Sequence, residues 1–301
     1  MTPLQRYIAE EIATDHADGL LSRREALRRL ALLGVSASAA TSLIAACAKD
    51  DAGTPAATSS SPAGTGTSAP GMDHAVLTAP VTWAGPRGEL QGAWAGAADP
   101  RGGVLVIHEN KGLNDWVRSV AARLAGAGYS ALAVDLLSEE GGTATFTDPA
   151  QATAALGRTP PDRFVADLRS GLDELARRLP GGKYAVTGFC FGGGLTWQLL
   201  AAGEPRLAAA VPFYGPAPDD PDFAGSRQAA VLAFYGELDA RVNATKAAAQ
   251  RALERAGMVH ELVVEPGADH AFFNDTGPRY NAAAAADAWR RLQDWLGPHL
   301  G

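Results

Sequence analysis

A single cysteine stands between glycines in Gly188-Phe189-Cys190-Phe191-Gly192, where a β-rich run over 184–187 gives way to a glycine-rich helix start. A nucleophile on so sharp a strand-to-helix turn sits in strained backbone, and small residues two before and two after it give the chain room. The helix that follows aims unpaired N–H groups and its positive end at Cys190. That favours a thiolate, and the Phe191 N–H can hold a developing oxyanion. An inert, buried cysteine ahead of a packing glycine run explains the same residues taken alone. Three further side chains change the balance. Glu109 follows the apolar run 104–108, Asp239 follows 231–235, and His270 follows 262–264 in Gly267-Ala268-Asp269-His270-Ala271-Phe272. Each has a bland reading: a solvated charge, a helix-capping acid, a turn histidine. Together, each after a different strand and with Cys190, Asp239 and His270 in the order nucleophile, acid, histidine, they read as a triad for acyl transfer.

Such groups must be presented by a sheet whose carboxyl edge gathers them. Residues 81–83 and 90–95 read as an opening antiparallel pair, and 103–108 as a strand buried on both faces. A helix is expected over 114–127, a strand over 130–135, and, after an excursion rich in Gly, Thr and Pro, a helix from Pro161. Its Phe164, Leu168, Leu172, Leu175 and Leu179 form one apolar stripe that belongs to the core. Strands over 184–188, 207–214, 231–235 and 262–264 alternate with helices after Cys190, over 243–256 and over 280–296. The fold class is α/β, a mostly parallel sheet with helices on both faces. Asp135 also ends a strand, but it precedes the nucleophile and ranks as the runner-up acid; His108 lies inside an apolar strand end, and His260 and His299 fall outside the order.

A chain of 301 residues, 47% hydrophobic, can bury a sizeable core, and its net charge of −7 with no basic, aromatic-interleaved patch excludes nucleic acid as the expected partner. No zinc-ligand spacing and no phosphate loop is present, so neither a metal nor a cofactor is expected. The two cysteines, Cys47 and Cys190, lie in unrelated motifs, which argues against a disulfide framework. Residues 1–46 read as an export segment: Ser22-Arg23-Arg24-Glu25-Ala26-Leu27-Arg28 has the twin-arginine form, and a small, apolar stretch follows over 30–46. It ends in Leu43-Ile44-Ala45-Ala46-Cys47, a lipobox-like run whose cysteine would be acylated. Residues 47–74 are rich in Thr, Ser, Pro, Ala and Gly and bury too little to order. They are expected to form a tether spanning on the order of 25 Å. The catalytic domain is expected over 75–301.

The domain resembles the dienelactone hydrolase family of the α/β-hydrolase superfamily. The resemblance rests on His108-Glu109-Asn110 before a helix, Gly188-Phe189-Cys190-Phe191-Gly192-Gly193, Tyr235-Gly236-Glu237-Leu238-Asp239 and Asp269-His270-Ala271-Phe272. It implies a Cys190–His270–Asp239 triad, Glu109 as the carboxylate that contacts the resting thiol, and an oxyanion hole from the backbone N–H groups of Asn110 and Phe191. The implied substrate is a small ester or lactone, cleaved through an acyl-enzyme. Family enzymes for dienelactones hold the substrate carboxylate with arginines, one of them four positions after the histidine. Here that position is Asn274, and Arg158 is the candidate for another, upstream of the elbow. The expected partners are the substrate, the twin-arginine export machinery and a membrane reached through a lipid on Cys47, with the protein a monomer. A non-catalytic, surface-anchored binding lipoprotein of the same fold is the alternative, and an aryl-ester activity screen separates the two.

Overall fold

A computed structural model of the protein describes residues 1–47 and 68–301; the greater part of the 47–74 tether expected from the sequence lies outside the described residues. The described chain forms two compact units, one of residues 68–145 and 162–301 and one that joins the N-terminal segment to residues 146–161.

The larger unit is built on an eight-stranded sheet. Its strands are β1 (Ala79–Ala84), β2 (Glu89–Ala95), β3 (Gly103–Ile107), β4 (Ser130–Asp135), β5 (Tyr184–Phe189), β6 (Leu207–Phe213), β7 (Ala230–Gly236) and β8 (His260–Glu265), in the spatial order β1-β2-β4-β3-β5-β6-β7-β8. The β1–β2 and β2–β4 pairs are antiparallel and every other pair is parallel. Successive residues of a strand point to opposite faces, so a strand buried at every position is covered on both. β3, β4, β5 and β7 are of that kind. Their cover comes from helices packed on the sheet, with α4 (Asp115–Gly126) on β2, β3 and β4, α7 (Phe191–Ala201) on β3, β5 and β6, and α9 (Ala282–Leu300) on β5, β6 and β7. α8 (Ala240–Ala256) lies against β7 and β8, and α6 (Pro161–Arg178) buries Phe164, Leu168, Leu172 and Leu175 completely. The mostly parallel sheet expected from the alternation of strands and helices is the one found. Contacts of this unit begin ahead of residue 75: Gly71, at φ 80°, approaches Trp289 so closely that a Cβ there would lie 2.6 Å from the indole, and Val76 N–H donates to Ala122 O.

The excursion between β4 and α6 holds a helix that the sequence reading left unassigned, α5 (Pro149–Arg158). Asp148 caps it, accepting from Ala150 N–H, and Pro149 starts it, so a reading that took Pro and Thr as loop markers passed over a proline at the first helical position, where it is favoured. In the second unit α5 carries the helices α1 (Pro3–Ala17), α2 (Arg23–Leu32) and α3 (Ala37–Cys47). Thr2 and Gln5 form a capping box at the start of α1, Leu33 and Ile8 close on Gly157, and Arg28 pairs with Asp148 at 2.7 Å. Gly34, at φ 81°, separates α2 from α3 and divides the small apolar stretch in two. No helix among the described residues is long and apolar enough to cross a membrane.

β8 ends in a charge that titrates. Glu265 is 3% exposed and its Oε1 has no hydrogen-bond partner. Burial, with Asp287 adding to it, pushes its carboxyl from 4.5 up to about 7 against the pull of Arg291 and Arg290. Below pH 4.5 the group is neutral in both folded and unfolded chains and costs nothing. Between 4.5 and about 7 only the unfolded chain gives up the proton freely, so stability falls as pH rises, and above that the loss is constant. Glu265→Gln removes this dependence. Its Tm is expected to exceed that of the wild type by a margin that grows from pH 4.5 to about 7 and then levels off, which thermal melts in a pH series measure. A margin that shrinks with rising pH would contradict the assignment.

Candidate active site

Four strands deliver the singled-out side chains to one edge of the sheet. β5 runs into α7 through Cys190, whose backbone is at φ 55°, ψ −115°, a conformation that costs a residue with a Cβ on the order of 1–3 kcal/mol. The flanking glycines make it possible: a Cβ on Gly188 would lie 2.1 Å from Gly192 O, and one on Gly192 would lie 2.4 Å from Ile107 O. Cys190 N–H donates to Phe213 O at 3.0 Å and Cys190 O accepts from Gly194 N–H, which holds the turn from both sides. The Cys190 Sγ and a ring nitrogen of His270 lie within 4.8 Å of each other.

Asp239 serves two purposes. Its Oδ1 caps α8 by accepting from Val242 N–H at 3.1 Å, and its Oδ2 meets His270 Nδ1 at 2.6 Å. The helix-capping reading and the triad reading of this acid are therefore compatible, one per oxygen. Burial works to raise the Asp239 pKa, yet the charge and hydrogen bond of His270, with Arg241 and Val242 N–H, hold it below the usual carboxylate value. An ionised Asp239 accepts the Nδ1 proton, which leaves Nε2 as the nitrogen for proton transfer. His270 is held in turn by its own backbone: its N–H donates to Asp269 Oδ1 at 2.6 Å, and Ala271 after it is at φ 61°.

Of the four positive-φ residues other than glycine among the described residues, Cys190, Tyr214 and Ala271 stand in or beside this site. Tyr214 is the one that the sequence reading missed, having taken it as the last residue of a strand. β6 stops at Phe213, and Tyr214 N–H turns to Phe234 O at 2.8 Å. Its ring meets the His270 ring edge-on at 5.3 Å. Burial pushes the Tyr214 hydroxyl well up, and the negative charge of Glu109 adds to this. A tyrosine directly after a β-strand, followed by glycine, was the available signal.

Glu109 lies in the turn after β3 and is 6% exposed; its Oε2 accepts from Asn274 Nδ2 at 2.8 Å. Asn110 beside it is buried, and Phe191 is the first residue of α7, where a backbone N–H has no acceptor inside the helix. The two rival groups are committed elsewhere. His108 Nδ1 lies 2.6 Å from Glu109 O and its Nε2 accepts from Leu136 N–H. Burial pushes its pKa down, so it is neutral and occupied at both nitrogens. Asp135 accepts from Leu137 N–H, Thr143 N–H and Thr143 Oγ1, and Thr143 Oγ1 accepts from Leu113 N–H: the acid staples two loops together. Arg158 belongs to the N-terminal unit, where its Nη1 donates to Leu32 O. Arg279 meets Asp269 at 3.4 Å. Cys47 is the last residue of α3.

The sequence model of the dienelactone hydrolase family matches residues 90–300, an interval that contains the whole of this constellation. The chain belongs to the dienelactone hydrolase family. It is accordingly a hydrolase, and among its relatives the "Putative carboxymethylenebutenolidase" of Escherichia coli O157:H7 is 36% identical over 212 residues, 66% of this chain and 77% of that one. The protein of the same name from Saccharolobus solfataricus is 30% identical over 232 residues, 66% of this chain and 90% of its own length. Among solved structures, a dienelactone hydrolase-like promiscuous phosphotriesterase from metagenomic libraries superimposes with a TM-score of 0.64 at 28% identity, over 75% of this chain and 100% of that one. Neighbours at 14% identity, such as the acylaminoacyl peptidase of Pyrococcus horikoshii with a TM-score of 0.57, share the α/β-hydrolase fold. The larger unit thus shares its fold with those neighbours.

Proposed function

We propose that this dienelactone hydrolase family member cleaves carboxylic esters or lactones through Cys190 as nucleophile, with His270 as general base and acid and Asp239 as its orienting partner. The reading is carried by the 2.6 Å Asp239–His270 contact, made from the loops after β7 and β8 and set against a cysteine on a strained elbow. In the reaction His270 Nε2 takes the thiol proton as Sγ attacks the carbonyl carbon, and the oxyanion is held by the N–H groups of Asn110 and Phe191. The C–O bond to the alcohol breaks as His270 returns the proton to the leaving oxygen. Water, deprotonated by His270, then attacks the thioester; the carboxylic acid leaves and the thiol is restored. Glu109 accepts a hydrogen bond from the resting thiol and keeps it protonated until substrate displaces the carboxylate, which protects an exported cysteine from oxidation. With Arg158 and Arg279 both engaged, uncharged esters and lactones are the favoured class. The test is turnover by the purified protein on aryl esters and lactones; ligand binding without hydrolysis of any of them would leave the binding-protein reading in its place.

The same reading puts the enzyme outside the cytoplasm, exported through Arg23-Arg24 and anchored by a lipid on Cys47. The support is the lipobox-like run over 43–47 and the exposure of Arg23 and Arg24 at the start of α2. Cys47→Ala is expected to move the protein from the membrane pellet to the soluble fraction with its esterase activity intact. Recovery of the wild type in the cytoplasm at its full unprocessed mass would contradict export.

A further inference from the structure

Asn274 has one amide and three hydrogen bonds. Its Oδ1 accepts from Thr276 N–H at 3.0 Å and from Thr276 Oγ1 at 2.7 Å, and its Nδ2 donates to Glu109 Oε2 at 2.8 Å. A backbone N–H can only donate, so the oxygen of the amide must face Thr276 and the nitrogen must face the carboxylate; the orientation follows from the chemistry of the partners. The neighbouring residue is committed as firmly. Asp275 Oδ1 accepts from Trp116 Nε1 at 2.9 Å and from Arg123 Nη2 at 2.7 Å, both on α4, and Arg123 is 1% exposed. The segment after His270 is thereby pinned to α4 through Asp275 and to the turn after β3 through Asn274.

An amide holds a carboxylate without cancelling its charge, whereas a guanidinium would neutralise it as well as position it. A Cβ on Gly192 would lie 2.4 Å from Ile107 O and 2.6 Å from His108 O, so the chain that leads into Glu109 runs against the turn that holds Cys190, and what fixes Glu109 fixes a charge next to the elbow. We infer that Asn274 is a positioning residue that holds the Glu109 carboxylate beside Cys190, and not a ligand for a carboxylate on the substrate. This rests on the assignment of Cys190 as nucleophile. It is a different role from the substrate contact expected for this position: one N–H and both lone-pair directions of its oxygen are already spent inside the protein.

The test is kcat and KM for a matched pair of substrates, an ester carrying a remote free carboxylate and the same ester with that carboxylate methylated. The variants are Asn274→Ala, Asn274→Asp, Glu109→Ala and the double variant Asn274→Ala/Glu109→Ala. Asn274 sets where the Glu109 carboxylate stands when substrate displaces it from the thiol, and a hydrogen bond to a charged group is worth enough that its loss is expected to lower kcat by about tenfold. That loss is expected on both substrates alike, with KM within about twofold of wild type, and is expected to disappear in the Glu109→Ala background, because two residues acting through one contact are not additive. Asn274→Asp keeps the shape and both Thr276 bonds but sets a second carboxylate against Glu109, so its kcat is expected to fall further. It carries the same comparison if Asn274→Ala does not fold. A rise in KM confined to the free acid, an unchanged kcat in both variants, or an equal loss with and without Glu109 would overturn the inference. An active Cys190→Ala would instead overturn the nucleophile assignment, and the two failures are told apart by that control.

Discussion

Cys190→Ala is expected to fold as the wild type does and to lose ester hydrolysis by a factor on the order of 10⁶, the size of effect seen when a triad nucleophile is removed. Both halves of that expectation come from the elbow. Cys190 is 2% exposed and held at φ 55° by backbone bonds to Phe213 and Gly194. Alanine also carries a Cβ, so it meets the same backbone strain and loses only the sulfur contacts, about 1 kcal/mol of packing. Catalysis has no such substitute. In the proposed mechanism the Asn110 and Phe191 N–H groups polarise the carbonyl and His270 moves the proton, but no other thiol lies among the described residues of the catalytic unit. Circular dichroism and a thermal melt establish folding, and hydrolysis of a chromogenic aryl ester gives the rate. A variant that retains the wild-type rate would remove the basis of the mechanism.

The second large effect is at Asp239. Asn at this position can still present an oxygen to Val242 N–H and so keep the cap of α8, since that bond uses Oδ1 alone. At the other end its NH₂ group would face His270 Nδ1, donor against donor, where the carboxylate now accepts at 2.6 Å. The imidazole escapes the clash by carrying its proton on Nε2, the tautomer that cannot accept one from Cys190. Asp239→Asn is therefore expected to lower kcat by roughly 10²–10⁴-fold while Tm stays close to wild type. The variant separates the two duties of the residue: Asp239→Ala, which gives up the cap as well, is expected to lose about 1 kcal/mol of stability in addition. A rate within about threefold of wild type in Asp239→Asn would mean that the pairing with His270 does not set the tautomer during turnover.

Much of this was legible in the chain because the physics acts over short distances. The elbow needs Gly188 and Gly192, and the reason is visible in the sub-3 Å approaches that a Cβ would make there. β3, β5 and β7 are apolar runs because both faces are covered, and such runs announce buried strands. Asp239 and His270 follow strands in the expected order and meet. What stayed hidden depends on distant partners. Nothing in the sequence near Asn274 names Glu109, 165 positions away, as its acceptor, and nothing near Asp275 names Trp116 and Arg123. The positive φ of Tyr214 goes with the bond of its N–H to Phe234 on the neighbouring strand, a partner 20 positions away. Helix α5 was obscured by its flanking Pro and Thr residues, and α1 and α2 of the N-terminal segment pack against it. A reading for export motifs looks past them.

The central claim is that the acyl group passes through Cys190. Rapid-quench mass spectrometry of the enzyme mixed with an activated aryl ester tests it directly, with peptide mapping to locate the adduct. The predicted result is a burst of about one equivalent of aryl alcohol, matched by an acyl mass on the peptide that holds Cys190 and lost as turnover ends. Steady hydrolysis with Cys190 unmodified at every time point, or an acyl group that maps to another residue, would contradict it.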